Sequence, residues 1–364
     1  MKNLFKKLLK INYTFKIPNK KKVLVYDNNS VTILSKFFSE NYNILKTRFE
    51  EISIPIMLWS LFIYYKDTIK LKNIYFNYLK TFIFVSNPKV IITFIDNDIN
   101  FYKFKFHFKN IKFIAIQNGY RFFKNDLFQS LDSSSENFVL DEYYCFGEYI
   151  KKKLSNKIKS KIISVGSIKN NYCKKTVKKD KNLCFISSFG VSNLKFEKSI
   201  IKYLESFCEK KNINLSILAR TSNKKEKDFY NSIINTEYSI YIEKSENFCN
   251  SYDIIDGASL SISLNATLGY ESLARGNKTF FLNVNDRDLD CKSFLQFGYP
   301  ENLPAEGYFW TNKLIKDEFL NKIEEIYKAT EADWDKKTRY IVNNIINFDP
   351  ENNILKSHLQ NYLN

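Results

Sequence analysis

The stretch SLNATLGYESLARGNKTFFLN, from Ser263 to Asn283, sets small polar residues between a buried strand and a helix. Apolar Ala258–Leu264 reads as a strand and Asn265-Ala266-Thr267 as a hinge. An amphipathic helix then closes at Gly276 before a second strand, Thr279–Leu282. Asn265 or Thr267 suits an N-cap, and first-turn N–H groups beside a strand end make a docking place for phosphate. Gly269 removes a side chain where a ligand could come close, and Glu271, one turn into the helix, is within reach of a ribose diol. The alternative is a capped helix whose Glu merely answers the helix dipole.

Other strand ends carry polar residues of the same kind. KVIITFIDND (Lys89–Asp98) ends in Asp96 and Asp98, which alternation would turn to one side. A carboxylate at a strand end can serve as a general base or as a nucleophile, and either acid qualifies. A helix-capping turn uses the same residues. Gln117 and Asn118 end the next strand with amides able both to donate and to accept hydrogen bonds. Arg121 can pair with a carboxylate or phosphate, and a plain Asn-Gly turn at Asn118-Gly119 is the alternative. Ser187 and Ser188 end a later strand, and Arg220 another. The serines offer hydroxyls and N–H groups to a phosphate, and Arg220 offers a cation or a surface ion pair.

Histidine occurs twice (His107, His358), so carboxylates carry any acid–base work. The six cysteines are scattered without a CxxC pair, which argues against a zinc site and for reduced core thiols. No metal and no cofactor is expected.

The elements that position these residues alternate between strand and helix, in two runs. Strands at Lys21–Asp27, Lys89–Asp98, Lys112–Gly119, Glu142–Gly147 and Lys161–Ser167 are near-continuous apolar runs, the pattern of a parallel sheet covered on both faces. The lysine-rich segment Lys169–Lys181 lacks apolar periodicity and reads as a linker. Strands at Asn182–Ser188, Asn214–Thr221 and Tyr238–Lys244 restart the pattern, and helices close the chain. The expected fold class is α/β, with two Rossmann-like domains of parallel strands facing across a cleft and a C-terminal helical tail. The expected divisions are 1–175, 176–340 and 341–364, the tail packing back on the first domain.

The 364 residues carry 56 Lys+Arg against 39 Asp+Glu, a net charge of +17 concentrated in two places. Residues 1–22 hold eight lysines, and residues 151–181 hold twelve against one Asp. Such a field attracts phosphates, although an AT-rich coding bias would raise surface Lys as well. Arg is scarce and no nucleic-acid-binding motif occurs, which makes nucleic acid a poor partner. No apolar run reaches the roughly 18–20 residues that cross a bilayer, and nothing resembles a signal peptide, so a cytoplasmic protein is expected. NLFKKLLK near the start sets Leu4, Phe5, Leu8 and Leu9 against lysines, as an anionic inner-membrane surface or a packed first helix would require.

SLNATLGYESLARGNKTFFLN also resembles the donor-site signature of GT-B glycosyltransferases. It is most similar to bacterial surface-carbohydrate (capsule and O-antigen) enzymes, including Kdo-transferase-like ones. FIDND (Phe94–Asp98), IAIQNGYR (Ile114–Arg121), FWTN (Phe309–Asn312), EADW (Glu331–Trp334) and NFDPENN (Asn347–Asn353) extend the resemblance. It implies sugar transfer from a nucleotide-activated donor to a surface polysaccharide or lipid-linked glycan. Ser187, Ser188, Arg220, Asn265, Thr267, Gly269 and Glu271 would hold the donor. Gln117, Asn118 and Arg121 would meet the acceptor, with Asp96 or Asp98 catalytic. Ser263 stands where many such enzymes have a second Glu, which leaves room for a CMP-sugar such as CMP-Kdo. A CDP-polyol phosphotransferase and a non-catalytic nucleotide- or nucleic-acid-binding protein are the alternatives.

Overall fold

In the computed structural model, residues 11–38, 41–65, 73–121, 138–176, 180–190, 194–264, 266–283 and 297–363 are described. The first half supplies strands β1 (Asn12–Thr14), β2 (Val23–Tyr26), β3 (Tyr42–Leu45), β4 (Glu51–Ser53), β5 (Val90–Thr93), β6 (Lys112–Ile116), β7 (Phe138–Cys145) and β8 (Ile158–Ser164). Its helices are α1 (Val31–Leu34), α2 (Ile54–Ile63), α3 (Ile74–Ser86), α4 (Ile99–His107), α5 (Glu148–Ser155) and α6 (Ile168–Tyr172). The second half runs β9 (Asn182–Ile186), α7 (Leu194–Lys211), β10 (Asn214–Leu218), α8 (Lys224–Asn231), β11 (Ser239–Ile242) and α9 (Asn250–Gly257). It continues through β12 (Leu260–Ser263), α10 (Thr267–Ala274), β13 (Thr279–Leu282) and β14 (Trp310–Thr311) to α11 (Lys316–Lys328), α12 (Glu331–Ile345) and α13 (Asn353–Leu363).

Each half builds one six-stranded sheet, ordered β3-β2-β5-β6-β7-β8 and β11-β10-β9-β12-β13-β14, with neighbouring strands parallel throughout. Strands β2, β5, β12 and β13 are buried at every residue, as continuous apolar runs covered on both faces must be. In chain order the second sheet reads third, second, first, fourth, fifth, sixth. Its direction of growth therefore reverses between β9 and β12, and a crevice opens beyond their carboxyl ends. The expected α/β fold with two parallel Rossmann-like sheets and a C-terminal helix is the fold observed.

The halves meet through α10. The rings of Tyr120 and Tyr270 stack at 3.6 Å, nearly parallel at 7°, and Tyr120 and Phe146 join the core of the second half. The tail then crosses back. Gly147 admits α12, since a Cβ there would lie 2.5 Å from the Ile345 carbonyl, and Leu355 and Leu359 of α13 enter the core around Val23, Val25 and Ile92.

The start of the Lys169–Lys181 segment, through Cys173, is packed against the second half, while Lys174–Thr176 are exposed as its composition suggests. Ile168, Asn170 and Asn171 are buried in α6, and the Arg275 guanidinium collects the carbonyls of Asn170 (3.1 Å), Cys173 (3.0 Å) and Lys174 (2.9 Å). Arg275 is itself buried against Asp256, its Nε 2.8 Å from Oδ1, and Asn277 and the Thr176 N–H complete the carboxylate's shell. Burial opposes ionisation of Asp256, but these donors hold its carboxyl below the usual carboxylate range. The cysteine expectation also needs correction. Cys173 and Cys249 form a disulfide that ties the segment after α6 to the start of α9, while Cys145, Cys184 and Cys208 are free and buried.

Breaking a buried ion pair strands the remaining charge. Arg275→Leu is expected to destabilise the protein by about 3–5 kcal/mol. Urea unfolding of the variant against wild type measures this, and Arg275→Lys, lacking the planar fork, should fall in between.

Candidate functional site

At the carboxyl ends of β9 and β12, where the second sheet reverses, lies a cavity of about 290 Å³. Ser187 and Ser188 border it from the end of β9, Arg220 from beyond β10 and Lys244 from beyond β11. Ala266, Thr267 and Glu271 contribute from the start of α10, and Phe248 and Tyr252 from the α9 region. Asn118 and Lys169 reach it from the first half, so both halves form its wall.

The wall is charged unevenly. Arg220 Nη1 donates to the Phe189 carbonyl at 2.7 Å, which steers its head across the strand ends. Lys169 lies 5.1 Å from the Phe94 ring; burial pulls its pKa down, Glu271 pushes it back up, and Lys244 lowers it again. Burial pushes the Glu271 carboxyl up, against the pull of Ser167, Tyr252, Lys169 and Arg275. Ser167 Oγ donates to Glu271 Oε1 and Asn170 Nδ2 donates to its backbone carbonyl at 3.3 Å, so this carboxylate also joins the halves. Three cations beside one buried carboxylate suit a ligand with an anionic end and a hydroxyl-bearing end.

Of the residues the sequence singles out, Asn118, Ser187, Ser188, Arg220, Thr267 and Glu271 border this one cavity. Their parts differ from the expectation. Ser187 Oγ donates to Glu226 Oε1 at 2.6 Å, accepts from the Phe189 N–H (3.2 Å) and lies 2.8 Å from the Tyr230 hydroxyl oxygen, so it shapes the loop. Ala266, not Thr267, is the N-cap of α10, and Thr267 Oγ1 accepts from the Tyr120 N–H at 3.1 Å across the seam. Asn265 lies outside the described residues. Gly269 faces away from any ligand: a Cβ there would sit 2.4 Å from Ser263 Oγ, so its role is close packing of α10 on β12. The same contact leaves no room for an acid at Ser263.

The first-half residues are corrected more strongly. Asp96 is fully buried, Oδ1 accepting from the Asn118 N–H at 3.1 Å and Oδ2 from Arg121 and Tyr143. Asp96 and Arg121, expected in separate roles, are therefore one buried ion pair behind Asn118. Asp98 caps α4, accepting from the Asn100 N–H (2.9 Å) and the Tyr26 hydroxyl (2.7 Å), which is the turn reading. Gln117 bridges backbone, accepting from the Phe146 N–H and donating to the Gly119 carbonyl, both at 2.9 Å.

Sequence reasoning missed Lys169, Lys244, Ser167 and Tyr252. Lys244 ends a strand that was recognised, but its lysine resembles dozens of others. A second omission lies behind the cavity. Glu226, buried in the first turn of α8, accepts from the N–H groups of Arg220 and Thr221, each at 2.8 Å, and so sets the loop beyond β10. Glu197 accepts from Tyr230 nearby. Burial pushes its pKa from the ordinary 4.5 up to about 7; Glu226 adds to the rise, and Tyr230 and Arg220 oppose it.

Between pH 4.5 and about 7 the folded protein keeps a proton on Glu197 that the unfolded chain has released. Stability from this group therefore falls as pH rises through that window. Glu197→Gln, which still accepts from Tyr230, is expected to match wild type at pH 4 and exceed it at pH 8 by on the order of 3 kcal/mol. Denaturant titrations at the two pH values check the difference.

The sequence matches, over residues 114–363, the model of a family described as "putative O-antigen biosynthesis protein". Among curated proteins none matches it. Solved structures of similar fold include a Listeria monocytogenes protein described as a "putative UDP-N-acetylglucosamine 2-epimerase". Identity is 12%, with 94% of this chain and 97% of that one covered, and the TM-score is 0.57. The UDP-GlcNAc 2-epimerase of Neisseria meningitidis, bound to UDP-GlcNAc, gives 13%, 93%, 99% and 0.54 for the same quantities. The enzyme of Methanocaldococcus jannaschii, in complex with UDP-GlcNAc and UDP, gives 12%, 93%, 99% and 0.53. Identities this low make the likeness one of fold: two Rossmann-like sheets across a cleft, the GT-B arrangement.

Proposed function

Because the chain belongs to the O-antigen biosynthesis family, we propose that it is a glycosyltransferase that moves a sugar from a nucleotide-activated donor to a surface polysaccharide or lipid-linked glycan. The observation that carries this reading is the cavity at the β9/β12 switch point, with Arg220, Lys169 and Lys244 beside Glu271. The ribose diol donates to Glu271. The phosphates lie toward the cations and the first-turn N–H groups of α10, which stabilise the charge that grows on the leaving group as the glycosidic bond breaks.

Three cations match a nucleoside diphosphate better than a monophosphate. Ser263, the residue that favoured a CMP-sugar, packs beneath α10 and carries no information about the donor. The UDP-sugars bound by proteins of similar fold are therefore the first donors to test. Asn118, held by the Asp96–Arg121 pair, lies where the acceptor would approach, and the pair positions it. Neither a cofactor nor a metal is needed in this reading, and contact with the membrane would bring a lipid-linked acceptor within reach.

Calorimetric titration with UDP, GDP, CDP, CMP and inorganic pyrophosphate tests the reading. Arg220→Ala should weaken diphosphate binding roughly 10–100-fold, the range of a charged hydrogen bond. Glu271→Gln should weaken nucleotides while leaving pyrophosphate unchanged. Release of nucleotide with a glycosylated product supports transfer, whereas isomerised nucleotide sugar without release would replace it with epimerisation. Failure of every nucleotide to bind overturns it.

A further inference from the structure

Helix α2 has the sequence IPIMLWSLFI, and only Ile56 and Ser60 within it are buried. Leu58 is 62% exposed and Phe62 81%, and with Tyr65 they form a stripe at i, i+4 and i+7. Trp59 and Ile63 form a second row, exposed as well. On neighbouring α3 the Phe84 ring is 63% exposed and meets Trp59 edge-on at 6.4 Å, so the apolar surface runs across both helices. Monomeric proteins rarely leave such a surface uncovered without a use for it.

The surroundings decide the occupant. From Ile52 to Lys89 the chain carries five lysines (Lys66, Lys70, Lys72, Lys80, Lys89) and one acid, Asp67. Lys66, Lys70 and Lys72 belong to the connection between α2 and α3, outside the described residues. Lys80 Nζ lies 4.4 Å over the Tyr64 ring, at the rim of the patch; burial lowers the pKa of His107 on α4, and the Lys80 charge adds to that. Trp, Tyr and Phe beside lysines, with almost no acid, is the composition of an interfacial helix on an anionic bilayer. With ten residues α2 is about 15 Å long, half the roughly 30 Å hydrocarbon core. It can lie in the headgroup boundary and not span it. Among the described residues no helix is long and apolar enough to cross a membrane.

We propose that the α2–α3 face docks on an anionic lipid bilayer, Leu58, Trp59, Phe62 and Phe84 entering the acyl boundary while Lys80 at the rim meets the headgroups. This surface does not depend on the nucleotide reading.

The exposed tryptophan gives a direct readout, because Trp310 and Trp334 are buried. Full-length protein is mixed with phosphatidylcholine vesicles containing about one third phosphatidylglycerol, and with pure phosphatidylcholine vesicles. The expected result is co-sedimentation with the anionic vesicles, weakened by high salt, and a blue shift of emission that Trp59→Phe removes while binding persists. Phe62→Ser with Phe84→Ser should weaken binding at least about tenfold with thermal stability retained. Three results would overturn the proposal: no binding to anionic vesicles, a double variant that binds like wild type, or a Trp59 shift that follows protein concentration without lipid. The last would make the patch a contact between two copies.

Discussion

The Arg275 guanidinium is wholly buried, and a cation placed there must satisfy its donors or unfold the region around it. Asp256 supplies the opposite charge, and the remaining donors reach the carbonyls of Asn170, Cys173 and Lys174. Tyr252 and Phe348 close on it at 5.4 and 5.3 Å. Buried pairs of this kind seldom add stability over an apolar packing, but they permit few geometries. Here the permitted geometry fixes the segment in which the chain leaves the first half. That constraint travels along α10. With its last turn gripped by the crossover segment, the helix presents Glu271 to Ser167, Tyr270 to Tyr120 and Thr267 to the Tyr120 N–H.

The cavity inherits this dependence. Lys169 belongs to the crossover segment and Asn118 to the first sheet, while Arg220, Lys244 and Glu271 belong to the second half. Any change in how the halves meet would separate Lys169 from Arg220, and with it the cationic wall. The buried Glu197–Tyr230–Ser187–Glu226 chain does the same work on a smaller scale. It pins the loops beyond β9 and β10, which Arg220 then spans by its bond to Phe189. The cavity wall and the architecture share residues at both scales.

Strands were legible because a sheet buried on both faces demands apolar runs, and β2, β5, β12 and β13 supply them. Strand ends were legible as places, since polar residues follow each run, and six of the residues chosen there border one cavity. Which way each side chain turns was not legible. Ser187 and Ser188 are adjacent, yet Glu226 claims the hydroxyl of Ser187. Asp96 and Asp98 share a strand parity, yet the chain turns between them, and one meets Arg121 while the other caps α4. Loop geometry decides these cases, and it depends on partners distant in sequence, 25 residues away for Asp96 and Arg121 and 147 for Thr267 and Tyr120. Arg275 lay inside the opening motif without any signal that it would hold α6.

The net charge of +17 illustrates the same limit in electrostatic form. Most of the described lysines are in water, where a Debye length of about 8–10 Å screens them, and several are paired locally, as Lys105 and Lys112 share Asp141. Lys169 differs because it is withdrawn from solvent, and burial already makes its charge harder to hold. Glu271, facing it, is pushed toward its neutral form by the same burial. An arriving phosphate would reverse the strain on Lys169 by supplying the anion that Glu271 supplies only in part. The cavity thus sets one cation half-withdrawn from water, Lys169, beside Glu271, with the exposed Arg220 and Lys244 at its border, and this arrangement rather than the summed charge distinguishes it from the rest of the surface.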